Sequence, residues 1–199
     1  MEYLVTMTTH VPAGTPDAAV DDIRAREAAR SRELAAQGHL LRLWRPPLRP
    51  GEWRTFGLFG AAGGDELERV LASMPLRVWR TDQVTPLAPH PNDPGPGRAP
   101  AISGGEFFTY FTRAVPPGTP AAAVAGAEAG EAERTRELAG QGHLVRLWVL
   151  PEAGRALGLW RASDGMRLQA LLESLPLYPW LRVQTTPLSP HPSDPAGVS

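Results

Sequence analysis

The stretch "SRELAAQGHLLRLW", Ser31 to Trp44, returns later in the same chain as "TRELAGQGHLVRLW", Thr135 to Trp148. A match of that length is a duplication, and the flanks extend it in unbroken order. "VPAGTP" (Val11 to Pro16) reappears as "VPPGTP" (Val115 to Pro120), "LASMPLRVW" (Leu71 to Trp79) as "LESLPLYPW" (Leu172 to Trp180), and "TPLAPHPNDP" (Thr85 to Pro94) as "TPLSPHPSDP" (Thr186 to Pro195). The one large gap follows Pro47, where the first copy holds "LRPGEW" (Leu48 to Trp53) and the second only "EAG" (Glu152 to Gly154). Each copy has the size of a small domain, far above a solenoid period. The chain divides into repeat 1 (1–91), a Pro/Gly-rich linker (92–104) and repeat 2 (105–199).

Within a copy, "EYLVTMTTHV" reads as a strand, and Thr15-Pro16-Asp17 as a helix start with a threonine cap, a proline at the first helical position and an early acid. That helix runs to Gln37 and stops at Gly38; "HLLRLWR" and "WRTFGLF" are the next strands. A short helix over Asp65 to Ser73 and a strand from Trp79 to Leu87 complete the unit. The order βαββαβ is the ferredoxin-like arrangement, an antiparallel sheet with helices on one face. The other face needs a cover. The sequence therefore predicts an α+β chain whose two repeats pack sheet to sheet as an intramolecular dimeric α+β barrel.

A net charge of -1 over 199 residues gives no electrostatic case for nucleic acid or an anionic membrane. No apolar run has the length of a membrane span, and the N-terminus lacks a signal pattern, so a cytoplasmic location is expected. Cysteine and lysine are both absent, which removes thiol and Schiff-base chemistry. Carboxylate, histidine, arginine and hydroxyl groups remain.

The first helix puts Val20, Glu27 and Leu34 at seven-residue steps, on one stripe, and the second copy does the same with Val124, Glu131 and Leu138. A carboxylate on an apolar, sheet-facing stripe has its charged form disfavoured, the condition for a proton shuttle near neutral pH. The other reading is a boundary glutamate paired with Arg24 or Arg30, or with Arg134 in the second copy. In the following strand, alternation puts Leu40, Arg42 and Trp44 on one face, with Leu144, Arg146 and Trp148 matching. Arg42 opposite Glu27 would be an ion-pair partner or an anchor for a substrate carboxylate or enolate oxygen; alternatively it snorkels to the rim. His90 and His191, each followed by an aspartate in "PHPND" and "PHPSD", are too few ligands for a metal site. That tail reads as a docking segment, across the barrel or onto a neighbouring subunit.

These residues resemble one family, the muconolactone delta-isomerases of bacterial aromatic-compound degradation. The likeness lies in the "MT" of the first strand, the helix acid, Gly38 followed by Leu43 to Arg45, the "LPL" turn (Leu175 to Leu177, and Met74 to Leu76) and the "HP" tail. It implies a ferredoxin-like dimeric α+β barrel assembled into larger rings, no metal or organic cofactor, and a proton-transferring helix glutamate, which falls on Glu27 and Glu131. Muconolactone-converting members have a Tyr and an Asn on the third strand and a His on the second; Trp53, Thr55 and Arg42 stand at those positions here. The second copy deletes the Trp53 position and carries Ala156 for Thr55.

The expected function is a cofactor-independent isomerase that moves a proton or double bond in an unsaturated lactone or related carbonyl compound. Glu27 and Glu131 are the candidate catalytic residues, and Arg42, Trp44, Trp53, Thr55, Arg146 and Trp148 the candidate substrate-binding residues; no metal site is expected. The first pocket, with Trp53 and Thr55, is expected to be the working one. The partners implied are a small-molecule substrate and a homo-oligomer of fused pairs, with no nucleic acid and no membrane. The alternatives are a noncatalytic small-ligand-binding or scaffold barrel, and a cyclase-type enzyme of specialised metabolism.

Overall fold

A computed structural model describes residues 1–197. Repeat 1 forms β1 (Glu2–Thr9), α1 (Asp17–Ala36), β2 (Leu40–Arg45), β3 (Arg54–Gly60), α2 (Gly64–Ala72) and β4 (Arg80–Pro89). Repeat 2 forms β5 (Gly105–Arg113), α3 (Ala121–Gly140), β6 (Leu144–Val149), β7 (Arg155–Ala162), α4 (Gly165–Glu173) and β8 (Leu181–Pro190). Both are βαββαβ, and every strand pairing is antiparallel. None of the helices among the described residues is long and apolar enough to cross a membrane.

The two compact units do not coincide with the two repeats. Of the described residues, unit 1 gathers 1–87 and 189–197, and unit 2 gathers 88–188. In unit 1 the sheet order is β4-β1-β3-β2, and Ser189 and Pro190 pair with Arg45 and Trp44 of β2. In unit 2 the order is β8-β5-β7-β6, and Ala88 and Pro89 pair with Val149 and Trp148 of β6. The tail end of each repeat thus belongs to the unit built on the other.

An aspartate fixes each of these segments. Asp194, 3% exposed, accepts from the Arg42 guanidinium at 3.1 Å and from the Leu43 backbone N–H at 2.9 Å. In unit 2, Asp93 accepts from Arg146 Nε at 3.2 Å and from the Leu147 N–H at 2.8 Å. Each guanidinium also lies over the tryptophan two residues on, Arg42 at 4.7 Å from the Trp44 ring and Arg146 at 4.7 Å from Trp148. The arginine and tryptophan placed inside a sheet by the sequence pattern are accommodated by this latch.

Helix faces and sheet meet as the period predicts. Tyr3, Val5, Met7, Leu34, Leu43, Phe59 and Leu71 form the core of unit 1, and Phe107, Phe111, Leu138, Leu147, Trp160 and Leu172 that of unit 2. Gly38 ends α1 at a φ of 76°, in the left-handed region, and the His39 N–H turns back to the Leu34 carbonyl at 2.9 Å. The N-cap differs from expectation: it is Pro16, and the Thr15 hydroxyl instead donates to the Pro12 carbonyl. A β-bulge also departs from simple alternation. The register of β2 shifts between Leu40 and Arg42, so Leu40 joins Leu43 on the helix-facing side while Arg42 and Trp44 stay on the other.

Asp194→Ala strips Arg42 of this carboxylate and the Leu43 N–H of its acceptor. It should cost about 3 kcal/mol, read as a lower denaturation midpoint, with Asp194→Asn losing less because an oxygen remains for the Leu43 N–H.

Candidate functional site

Each unit holds a cavity between its long helix and its sheet, and a glutamate from the helix lines it. In unit 1 the cavity measures about 370 Å³ and is lined by, among others, Glu27, Ser31, Leu43, Trp53, Thr55 and Arg80. The stripe that carries Leu34 into the core carries Glu27 toward the turn after α2. Pro75 starts a 3-10 turn there, Pro75–Trp79, and a turn start leaves backbone N–H groups without internal partners. The Leu76 N–H uses that freedom to donate to Glu27 Oε2 at 2.8 Å.

The other oxygen, Oε1, accepts from Arg80 Nη1 at 3.1 Å. Arg80 is held in turn by Asp82, through Nε at 2.6 Å and Nη2 at 3.0 Å. Arg77 bridges Asp82 at 2.6 Å and Glu68 at 2.8 Å. Five charged side chains thereby run from the surface to Glu27. Burial raises the Glu27 pKa; the Leu76 N–H and Arg80 oppose that rise without cancelling it.

Unit 2 repeats the scaffold and discards the charges. Its cavity, about 450 Å³, is lined by Glu131 with Phe111, Leu147, Val149, Ala156, Trp160 and Leu181 among its apolar wall. The Leu177 N–H donates to Glu131 Oε2 at 3.0 Å, the counterpart of the Leu76 bond. Aligned on the repeat, Arg80, Asp82, Arg77 and Glu68 become Leu181, Val183, Tyr178 and Gln169. Glu131 is 8% exposed, and burial raises its pKa against only the Leu177 hydrogen bond. A carboxyl group in that setting keeps its proton to higher pH than a solvated one.

The tail adds an imidazole to each cavity. His191 lines the cavity of unit 1 and His90 that of unit 2. The Ser193 N–H donates to His191 Nδ1 at 3.1 Å, and the Asn92 N–H donates to His90 Nδ1 at 3.1 Å. An Nδ1 that accepts leaves the ring proton on Nε2, so each neutral imidazole is a donor there. Burial lowers both pKa values. His191 reaches about 4, with Arg45 adding to the effect and Asp194 opposing it; His90 is lowered by burial against Asp93.

Of the residues singled out from sequence, Glu27, Trp53 and Thr55 meet in the cavity of unit 1, and Glu131 lines that of unit 2. Arg42, Trp44, Arg146 and Trp148 line neither. The expected opposition of Arg42 and Glu27 is corrected: Leu43 takes the cavity side of the strand, Arg42 turns to the other side and bonds Asp194, and the cation at Glu27 is Arg80. The helical arginines are not that partner either, since Arg30 bonds Glu33 and Ser73, and Arg24 stacks over Trp53 at 4.5 Å. Sequence reasoning missed Arg80 and the cavity role of the two tail histidines. Among the described residues no group of three or more His, Cys, Asp or Glu is placed to hold a metal ion.

The model of the family described as muconolactone delta-isomerase matches the chain twice, over residues 1–93 and 106–194. A muconolactone delta-isomerase of Cupriavidus pinatubonensis is 38% identical over 92 residues, which is 46% of this chain and 97% of that protein. Muconolactone delta-isomerase 1 of Acinetobacter lwoffii is 33% identical over 92 residues, 46% of this chain and 93% of that protein. Among solved structures, a chlorite dismutase variant from Candidatus Nitrospira defluvii has a TM-score of 0.62 at 11% identity, covering 95% of this chain and 91% of that one. A heme-binding protein from Thermus thermophilus has a TM-score of 0.59 at 13% identity, covering 97% and 93%. At such identities these structures show the fold alone, two ferredoxin-like units in one chain.

Two measurements probe the buried groups directly. A raised folded-state pKa gives Glu131 a stabilising share at low pH that is lost as pH rises through the raised value. Glu131→Gln should therefore melt above the parent at pH 7, with the gap closing toward pH 4, and Glu27→Gln should gain less because it also weakens the bond to Arg80. For His191 the sign is reversed: the unfolded chain binds a proton below the ordinary imidazole value of 6.5 that the native chain refuses until about 4. Stability should fall with pH across that window, and His191→Asn should flatten this part of a pH series of denaturation midpoints.

Proposed function

As the chain belongs to the muconolactone delta-isomerase family, we propose that it is an isomerase that needs no cofactor and moves a proton, and with it a double bond, within an unsaturated lactone or related carbonyl compound. The observation that supports this most is a helix glutamate at the wall of a cavity, one oxygen held by a backbone N–H and its pKa raised by burial, in each unit.

The reaction balances on that one group. A C–H bond beside the carbonyl breaks, an O–H bond forms on the glutamate, and the electron pair spreads into a dienolate. The same carboxylic acid then gives its proton to the far carbon of the dienolate, and the double bond has moved. No oxidant, reductant or water is consumed. Negative charge collects on the carbonyl oxygen midway, and a fixed donor there lowers the barrier. With Arg42 committed to Asp194, that donor is assigned to the tail imidazole, neutral and with its proton on Nε2. A neutral imidazole suits a proton shuttle, because an imidazolium would hand its own proton to the enolate.

The test is exchange and transposition of ring protons of an unsaturated butenolide in D2O, followed by NMR. The double variant Glu27→Gln with Glu131→Gln should slow both by about 100- to 10,000-fold while keeping the fold. Parent rates in the double variant would reject the glutamate shuttle.

A further inference from the structure

The two cavities differ in charge at homologous positions, and in a consistent direction. Three guanidiniums and one carboxylate line the cavity of unit 1: Arg24, Arg45, Arg80 and Glu27. On the repeat alignment, Arg24, Arg45 and Arg80 become Glu128, Val149 and Leu181, all of them lining the cavity of unit 2. Two guanidiniums are found there, Arg113 and Arg155, and both are paired, Arg113 with Glu128 at 2.7 Å and Arg155 with Glu152 at 3.2 Å. Thr55 likewise becomes Ala156 and Met7 becomes Phe111. The second wall is the more apolar of the two.

The glutamates differ in the same sense. Both Glu27 oxygens are engaged, one by Leu76 and one by an arginine whose side chain is 2% exposed and is itself clamped by Asp82. Such an ion pair resists giving up the carboxylate charge, because protonating Glu27 would remove one of the two carboxylates that hold Arg80. Glu131 has one oxygen on the Leu177 N–H and the other beside an apolar cavity in which position 181 is a leucine.

We infer that the two cavities serve different ligands: unit 2 transfers protons on an uncharged unsaturated lactone or ketone through Glu131, and unit 1 binds a carboxylate-bearing compound through Arg24 and Arg45, with Glu27 kept as the partner of Arg80. The inference rests on the glutamate-shuttle reading and assigns it to one unit. It also reverses the expectation that the first pocket, better supplied with polar groups, does the chemistry. Polar groups there bind, and the carboxylate of unit 2, with no arginine in place of Arg80, reacts. In unit 1 the ligand carboxylate sits at the mouth, where Arg24 and Arg45 are exposed, and its unsaturated body lies against Trp53, over which Arg24 is stacked.

Two probes separate the cavities: a β,γ-unsaturated butenolide with a short alkyl chain, and the same ring bearing a carboxymethyl group. In the intact chain, Glu131→Gln should slow proton exchange of the uncharged butenolide at least 100-fold and Glu27→Gln less than tenfold. Arg24→Glu with Arg45→Val, two exposed positions given the residues of unit 2, should weaken calorimetric binding of the carboxylate probe more than tenfold. Saturating uncharged probe should not compete for that site. A gain of function checks the lock on Glu27. In the Glu131→Gln background, Arg80→Leu with Asp82→Val removes both charges together, and exchange of the uncharged butenolide should recover at least tenfold. Loss that follows Glu27 instead of Glu131, or competition of the two probes for one site, would overturn the inference while leaving the shuttle intact. Parent rates in the double glutamate variant would instead reject the shuttle itself.

Discussion

Asp194 and Asp93 are the constraint on which both sites depend. Each takes a guanidinium and a backbone N–H from two consecutive residues of one strand, and a carboxylate is the side chain with acceptor capacity for both. The bond settles three matters at once. It assigns the tail of each repeat to the unit built on the other repeat, it brings the histidine three residues upstream to the cavity wall, and it turns Arg42 and Arg146 away from the cavity. A sheet arginine that looked like a substrate anchor is a structural latch, and the latching segment carries the imidazole that lines the cavity.

The buried glutamates rest on a second balance. Taking a carboxylate out of water disfavours its charge, and the only compensation shared by both units is one N–H from the turn after the short helix. What the rest of the strand supplies then sets the electrostatics around each glutamate. Arg80 with Asp82 turns Glu27 into one link of a charge chain that reaches the surface at Glu68. Leu181 with Val183 leaves burial at Glu131 opposed by the Leu177 N–H and by no arginine on that strand. The backbone at these positions is the same antiparallel pairing to the first strand of each repeat, so the difference lies in side chains and not in fold.

The fold was legible because its signals are long: a duplicated strip, a helical stripe with Glu27 seven residues from Leu34, and turns closed by Gly38 and Pro75. Glu27 and Glu131 were legible for the same reason. The faces of β2 were not fully legible, since a bulge spends one extra residue at Leu41 without leaving any mark in the alternation of "HLLRLW". Arg80 was hidden for another reason. It lies 53 residues from Glu27, beyond the reach of helix spacing, and in the text it reads as an ordinary strand-start cation. Its signal was present all the same in the difference between copies, because arginine and aspartate at 80 and 82 change together to leucine and valine at 181 and 183. The tail histidines were noticed but weighed as metal ligands. Their neighbours Asn92 and Ser193, whose backbone N–H groups fix the tautomer, carry no side-chain pattern that sequence could display.

Differences between copies are also what a fused pair makes possible. When two identical chains supply two sites, any substitution that suits one site is imposed on the other, so a charge gained for binding is gained everywhere. Duplication within one chain removes that coupling. Compensated changes at 80 and 82, and the exchange of Arg24 for Glu128, could then accumulate on one side without disturbing the Asp latch or the turn N–H that both sides retain. The retained interactions are those without which an N–H or a guanidinium would be buried with no acceptor, and the changed ones lie at cavity walls where either a charge or an aliphatic side chain can be accommodated. At the cavity walls the two copies differ in charge, at Arg24, Arg45 and Arg80 against Glu128, Val149 and Leu181, while the latch and the turn N–H that position each glutamate are the same.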